Sequence, residues 1–347
     1  MATVDLEAIV VRNETTDAGL PADPVVVRQE SRYENFDYLR LFLALEVVAE
    51  HCWAGLLLPG AFWSPIPPVA AFVGLSGFLI PQSLERSKSL PHFAWKRALR
   101  TLPALLPVFA ALGWAFGLQV VLGAAKQYLT AGYYGQVLGV TLPLWSLIVE
   151  DALYAFTALL FVFGLHRNLW CALAILTALL AGERFVTDAM TDYRLFHTST
   201  AFFVGNLINI FHSSLRRVHW IVPGLGVGIS LMGWCAPLGN LARPFLIANV
   251  IVLAISLPQM RWRIPDLSYG AYIWHGPIMM YLLVTVGMAR DARWVIAVSI
   301  GTLIAALLSW YGIEKPALRL KKMSSRLAAT QESEPRPTND KGAAAIV

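Results

Sequence analysis

Ionisable side chains interrupt an apolar segment near the start of the chain. Within residues 36–58, FDYLRLFLALEVVAEHCWAGLLL, the ionisable residues are Asp37, Arg40, Glu46, Glu50 and His51. A central charged residue costs a membrane-spanning helix about 2.5–3.5 kcal/mol, so several of them facing lipid would together cost on the order of 10 kcal/mol. They must therefore face protein or water, where an imidazole is suited to act as a general base toward a hydroxyl.

Helical spacing places Arg40 and His51 on one face of this segment. They are eleven positions apart, which at 100° per residue leaves them only about 20° apart around the helix. If the helix starts on the cytoplasmic side, Arg40 lies near that surface and His51 lies about 22 Å along the helix from residue 36. The segment is therefore predicted to carry a polar stripe that links the two sides of a membrane.

A later segment, LWSLIVEDALYAF, aligns polar side chains in the same way. Ser146, Glu150 and Tyr154 follow one another at i,i+4 spacing, which puts them on one helix face. If this helix runs inwards, Glu150 lies about as deep as His51. We therefore expect the two to be able to meet, in which case the carboxylate would orient the imidazole and raise its affinity for a proton.

Two further segments carry candidate site residues. LSYGAYIWHGPIM aligns Ser268, Tyr272 and His275 by i,i+4 and i,i+7 spacing. WKRALRTLP places Arg97 and Arg100 on one face where a helix is expected to begin. Two guanidinium groups at a helix amino terminus are suited to binding phosphate.

The composition excludes an ordinary soluble enzyme. Of the 347 residues, 57% are hydrophobic and 14% are charged, and the mean hydropathy is +0.58, whereas soluble domains carry about 25% charged residues. Apolar segments occur at 36–58, 66–85, 100–122, 144–164, 168–185, 196–212, 220–238, 244–258, 268–288 and 293–313. We therefore predict an all-α, polytopic transmembrane helical bundle of about ten spans that crosses the lipid bilayer.

The basic residues indicate the orientation. With the amino terminus in the cytoplasm, six of the 27 Lys and Arg lie on the other side: Lys126, Arg184, Arg194, Arg243, Arg290 and Arg293. This asymmetry follows the positive-inside rule, and ten spans return the carboxyl terminus to the cytoplasm. Residues 1–35 and 323–347 are polar and lack helical periodicity, so we expect disordered cytoplasmic tails on either side of one transmembrane domain, 36–315.

Several other kinds of site are not expected. The basic residues are scattered rather than clustered, which argues against nucleic acid as a partner. The three cysteines form no CxxC pair, and neither HExxH nor GxxxxGK[ST] occurs, so no metal site is predicted. Gly113 with Gly117, and Gly224 with Gly228, have the spacing of small residues that allow helices to approach closely.

Six motifs follow one another along the chain. They are FDYLRLFLALEVVAEH with Arg40-x10-His51, FVGLSGFLI at 72–80, Arg97-x-x-Arg100 before Pro103, LWSLIVEDALY at 144–154, SYGAYIWHGP at 268–277 and IEKP at 313–316. In this order they resemble the acyltransferase type 3 family, over roughly residues 32–320. The resemblance implies a bacterial plasma (inner) membrane enzyme that transfers an acyl group, commonly acetyl, from cytoplasmic acyl-CoA to a hydroxyl of a carbohydrate or lipid-linked glycan.

The resemblance also implies roles for particular residues. His51 takes the place of the family's proposed catalytic histidine, and Arg40 that of its motif partner. Arg97 and Arg100 take the place of the pair implicated in binding the acyl-CoA donor, with acetyl-CoA the expected form. The remaining expected site residues are Glu150, as a second catalytic group, and Ser146, Tyr272 and His275, as substrate ligands.

Alternatives stay open at this point. Ten spans with intramembrane His, Glu and Arg also describe a proton relay, so a proton-coupled transporter or flippase is the alternative function, and an inactive scaffold is a third. Direct transfer and a transient acyl-enzyme fit the sequence equally well. The chain departs from the family pattern before Ser76 and after Glu150, which leaves the acceptor open. Both a monomer and a homodimer are compatible with the sequence.

Overall fold

The computed structural model describes residues 33–55, 64, 66–134, 144–185, 190–234, 239–262, 264–287, 291 and 293–320. The expected tails, 1–35 and 323–347, lie outside these ranges except for residues 33–35, and their disorder stays a prediction. Every regular element in the described ranges is a helix. The predicted all-α class is therefore confirmed for this part of the chain.

The elements follow one another with short connections. In chain order they are α1 (Glu34–Gly55), α2 (Pro68–Glu85), α3 (Leu90–Phe116), α4 (Leu118–Leu129), α5 (Trp145–Val162), α6 (Leu169–Phe185), α7 (Met190–Ile210), α8 (His212–Leu215), α9 (Ile221–Trp234), α10 (Gly239–Ser256), α11 (Ser268–Tyr281) and α12 (Arg293–Ser309). Two π-helical segments, Leu282–Val286 and Trp310–Glu314, continue α11 and α12.

Nine of the ten predicted apolar segments each correspond to one long helix. The exception is 100–122, which is divided between α3 and α4. The hydroxyl of Ser89 accepts a hydrogen bond from the amide of His92 and starts α3 ten residues earlier than predicted, as expected of an N-cap. Gly117 ends α3 with a φ of 84°, a conformation that glycine adopts without steric cost.

The outer surface of the bundle is apolar. Trp114 is 87% exposed, Trp170 is 78% exposed and Leu308 is 70% exposed. Exposure of a large apolar surface to water is unfavourable, so such a surface indicates contact with lipid or with another protein. Three helices are long and apolar enough to cross a membrane: Leu90–Phe116, Trp145–Val162 and Arg293–Leu320. These features agree with a membrane protein, while the count of ten spans and the position of the termini stay predictions.

Helices α2 and α7 approach each other closely through glycine. A Cβ atom on Gly77 would lie 1.9 Å from the carbonyl oxygen of Phe202, and one on Gly205 would lie 1.9 Å from the carbonyl oxygen of Gly74. No other residue type can occupy positions where backbones are this close. The contact fixes α2, and with it Ser76, which lies between the two glycines of that helix.

The two glycine pairs singled out from the sequence differ from each other in the described structure. A Cβ atom on Gly228 would have no heavy atom within 4 Å, and one on Gly224 would first meet Leu253 at 4.0 Å. Gly113 lies in the last turn of α3, where a Cβ atom would come within 3.2 Å of Val121 on α4, and Gly117 ends α3. Close helix approach is therefore found at Gly113 but not at Gly224 or Gly228, because spacing alone does not say which face of a helix meets a neighbour.

Candidate functional site

The polar face of α5 contacts two neighbouring helices. The carboxylate of Glu150 accepts short hydrogen bonds from the hydroxyls of Ser76 on α2 and Tyr154 on α5. One turn earlier, the Ser146 Oγ lies 2.5 Å from the Tyr272 hydroxyl on α11. Both partners of this second pair are buried. The i,i+4 alignment predicted for α5 thus places its polar groups between α2 and α11.

A small cavity lies beside this face. Its volume is about 30 Å³, which is room for one or two water molecules. Its walls are formed by Val69, Phe72, Val73, Ser146, Leu147, Glu150, Tyr269 and Tyr272. His51, Arg97 and Arg100 are not among these residues. The cavity therefore brings together three of the expected site residues and leaves the imidazole of His51 and the two α3 guanidinium groups outside it.

Two histidine rings pack together next to this region. The ring centroids of His51 on α1 and His275 on α11 are 5.0 Å apart, and the Tyr272 ring is 6.1 Å from that of His275. His275 is fully buried, whereas His51 is partly exposed. The Nε2 atom of His275 is buried and has no hydrogen-bond partner in the described part of the chain.

The backbone of α1 sets the tautomer of His51. Its Nδ1 atom lies 2.8 Å from the carbonyl oxygen of Val47, one turn earlier. Because a carbonyl oxygen only accepts hydrogen bonds, Nδ1 carries the proton in the neutral ring and Nε2 carries the lone pair. The basic nitrogen of His51 is therefore Nε2.

The possible contact between His51 and Glu150 is not the one found. Among the described residues, Glu150 accepts its hydrogen bonds from Ser76 and Tyr154, and the charged side chains that act electrostatically on His51 are Glu50 and Arg194. Equal depth in the bundle would bring His51 and Glu150 together only if their side chains also pointed toward each other. Sequence reasoning missed Ser76 as a partner of Glu150, although its position between two glycines is a signal of tight packing.

Three guanidinium groups, which we call the arginine cluster, lie near one another in the first halves of α1 and α3: Arg40, Arg97 and Arg100. Because α3 begins at Leu90, Arg97 and Arg100 lie inside this helix and not at its amino terminus, where they were expected. The Arg97 guanidinium lies over the rings of Phe93 and Tyr154, at 5.7 and 6.0 Å, and donates a hydrogen bond to Ser83 Oγ at 3.3 Å. Its Nε atom is buried without a hydrogen-bond partner among the described residues. The cluster thus holds positive charge that these residues do not fully neutralise.

The other two arginines of the cluster have different surroundings. Arg40 lies 5.9 Å from the ring centroid of Phe72, and its Nε atom is also buried without a partner in the described ranges. Arg100 forms an ion pair with Asp266 at 2.5 Å, and Ser268 donates a hydrogen bond to the same carboxylate at 2.8 Å. Asp266 could not be identified from the sequence, because its partner Arg100 is 166 positions away.

The electrostatic environment of Asp266 favours its charged form. Burial alone would raise the pKa of this carboxyl, but the guanidinium of Arg100, with further contributions from Arg40 and the Ser268 hydroxyl, holds its pKa well below the usual range. Asp266 lies in the connection before α11, so it marks one end of the site. The ion pair is therefore fully formed at neutral pH.

The site residues form a polar series through the apolar bundle, in which Glu150 and Ser146 are linked by lining the same cavity. From the arginine cluster the series runs through Arg97, Tyr154, Glu150, Ser146, Tyr272, His275 and His51. The described residues contain no group of three His, Cys, Asp or Glu side chains that could hold a metal ion. The arrangement places guanidinium groups at one end, the two imidazoles at the other, and hydroxyl and carboxylate groups between them.

Comparison with known proteins adds two findings. The acyltransferase type 3 family model, described as an acyltransferase domain, matches residues 33–312. Nodulation protein 10 of Rhizobium leguminosarum bv. viciae is 30% identical over 348 aligned positions, which cover 83% of this chain and 94% of that protein. No solved structure matches the chain.

Proposed function

Since this chain belongs to the acyltransferase type 3 family, we propose that it is an integral, multi-pass O-acyltransferase of the bacterial plasma membrane. It transfers an acyl group, with acetyl the expected one, from cytoplasmic acyl-CoA to a hydroxyl of a carbohydrate or lipid-linked glycan. The observation that carries the proposal is the polar series, which joins anion-binding groups to a basic imidazole through an otherwise apolar interior.

The arginine cluster is the proposed binding site for the donor. Coenzyme A carries a diphosphate and a 3′-phosphate, and guanidinium groups bind phosphate through paired, charge-assisted hydrogen bonds. The buried Nε atoms of Arg40 and Arg97, which have no partner among the described residues, fit an anionic ligand that would supply one. The thioester arm of the donor then extends from the cluster toward the cavity beside Glu150.

His51 is the proposed general base. Its Nε2 lone pair takes the proton of the acceptor hydroxyl as that oxygen attacks the thioester carbonyl carbon. The carbon–sulfur bond breaks, and coenzyme A leaves as a thiol after taking the proton from His51. The hydrogen bond from His51 Nδ1 to the Val47 carbonyl keeps Nε2 available throughout.

The groups around the cavity are proposed to hold the reacting substrates. The Glu150 carboxylate keeps unused acceptor capacity beyond its bonds to Ser76 and Tyr154, so it can orient a hydroxyl of the acceptor. Ser146, one turn earlier on the same helix, and Tyr272 on α11 line the same cavity and offer hydroxyls. In this proposal Glu150 acts on the substrate and not on His51.

Labelled acetyl-CoA tests the proposal directly. Purified protein in nanodiscs is incubated with the label and a panel of oligosaccharides and lipid-linked glycans, and labelled glycan is identified by mass spectrometry. We expect transfer by the wild-type protein and a loss of at least about 100-fold in His51→Ala, the range found for removal of a general base. His219→Ala is the matched control, because His219 is an exposed histidine that stacks on Trp220.

Two results would contradict the proposal in different ways. Undiminished transfer by His51→Ala would remove His51 as the base. Proton flux that depends on an added solute, without consumption of acetyl-CoA, would favour the transporter or flippase instead, because a relay needs the same intramembrane groups but no thioester.

A further inference from the structure

The two arginines of the Arg97-x-x-Arg100 motif have different electrostatic partners. Arg100 is paired with Asp266 at 2.5 Å, and the two side chains are 31% and 12% exposed. Arg97 contacts aromatic faces and one serine hydroxyl, and no described carboxylate lies within ion-pair distance of it. Among the described residues, the Arg100 guanidinium is therefore paired directly with a carboxylate, and the Arg97 guanidinium is not.

The Arg100–Asp266 pair is one of two adjacent links between α3 and α11. The residue after Arg100, Thr101, accepts a hydrogen bond at its carbonyl oxygen from the Tyr269 hydroxyl at 3.0 Å. Ser268, the first residue of α11, is buried and donates to Asp266 at 2.8 Å. Consecutive residues of α3 thus hold two residues three positions apart, Asp266 just before α11 and Tyr269 in its first turn.

These two links hold the start of α11 against α3, close to the α11 residues that belong to the candidate site. Tyr272 follows Tyr269 by three residues and His275 follows it by six, so they lie one and two helical turns beyond the link. Tyr272 contacts Ser146, and His275 contacts His51. A change in the position of the start of α11 would therefore move both contacts.

We propose that Arg97 and Arg100 have separate tasks, an inference that rests on the proposed donor site. Arg97, together with Arg40, binds a phosphate group of the donor. Arg100 is a positioning residue, which acts through Asp266 to hold α11 in register with α3. A phosphate at Arg100 would have to lie beside the Asp266 carboxylate and compete with it, which repulsion between like charges disfavours.

Coenzyme A binding and thermal stability separate the two tasks. The variants are R97Q, R100Q, D266N and the double variant R100Q/D266N, each purified in detergent. The double variant removes one positive and one negative charge, so the net charge at the cluster is unchanged and the two amides can still form a hydrogen bond. Affinity is measured by titration calorimetry with coenzyme A, and the unfolding midpoint is measured without it.

We expect R97Q to raise the Kd for coenzyme A at least about tenfold and to leave the unfolding midpoint close to wild type. We expect R100Q to lower the midpoint, because it leaves a carboxylate without its cation. The double variant should have a higher midpoint than R100Q and a Kd within about threefold of wild type. Such rescue is not expected of a residue that binds the donor itself.

Each contrary result overturns a defined part of the inference. A double variant that loses coenzyme A binding as severely as R97Q would make Arg100 a donor ligand and refute the separation of tasks. Midpoint losses in R100Q and D266N that simply add in the double variant would refute the link to α11. If the wild-type protein does not bind coenzyme A, the proposed donor site fails, whereas the stability coupling of Arg100 with Asp266 is tested independently.

Discussion

Replacement of Gly77 by alanine tests the close contact between α2 and α7. The new Cβ atom would lie 1.9 Å from the backbone carbonyl oxygen of Phe202, whereas real Cβ contacts essentially never fall below 3.0 Å. The helices would therefore have to separate by more than about 1 Å, because a backbone oxygen cannot rotate away as a side chain can.

The expected loss follows from two opposing contributions. Overpacking of this kind costs about 1–3 kcal/mol and occasionally more, and a helix gains about 1 kcal/mol when alanine replaces glycine. With a backbone obstacle the upper part of the first range applies, so G77A should lose about 1–2 kcal/mol of unfolding free energy. For a chain of 347 residues that corresponds to a fall in the unfolding midpoint of roughly 1–3 °C. Acyl transfer should also slow, because Ser76 moves with α2 away from Glu150.

Intrinsic fluorescence during heating in detergent gives the midpoint, and Gly228 provides the matched control. A Cβ atom there would meet no heavy atom within 4 Å, so G228A should be neutral or more stable than wild type. A midpoint for G77A equal to or above that of G228A would show that the two helices are not held at the distance described here.

Four further substitutions and conditions have defined expected outcomes. Tyr272→Phe should cost about 1–3 kcal/mol of stability, measured by the unfolding midpoint, because it leaves the buried Ser146 hydroxyl without its partner; an unchanged midpoint would contradict this. Glu150→Gln should lower acyl transfer at saturating donor at least about tenfold, and full activity would remove Glu150 from the site. His275→Phe keeps a buried ring but removes the nitrogens beside His51, so the protein should remain folded while the turnover rate falls. Because the pKa of Asp266 is lowered in the folded protein, its contribution to stability is present above the unfolded pKa of about 3.9 and is lost as pH falls toward the folded value. Wild type should therefore lose more stability than D266N between pH 5 and pH 3. Equal losses in the two proteins would argue against the ion pair.

The features that could be predicted from the sequence are those that depend on local periodicity. The alignment of Ser146, Glu150 and Tyr154 follows from 3.6 residues per turn, and the helical segments follow from runs of apolar residues. The division of 100–122 into two helices was missed because Gly117 ends the helix while the run of apolar residues continues past it. Periodicity within one segment therefore gives the face of a helix reliably, but its ends less so.

The contacts between helices could not be predicted in this way. Ser76 and Glu150 are 74 positions apart, and Arg100 and Asp266 are 166 positions apart. Which faces meet depends on packing of the whole bundle, including the glycine contact of α2 with α7. The polar face of a helix can be predicted from its own sequence, whereas the helix that contacts this face depends on the positions of all the other helices.

The hydrogen bond from His51 to the carbonyl oxygen of Val47 lies entirely within α1. The direction of the reactive nitrogen is consequently determined by one helix and needs no help from α2, α5 or α11. Those three helices form the walls of the small cavity, where the proposed acceptor would bind. Substitutions in these cavity walls could thus adapt the protein to acceptors of another size or shape without changing the orientation of the His51 imidazole.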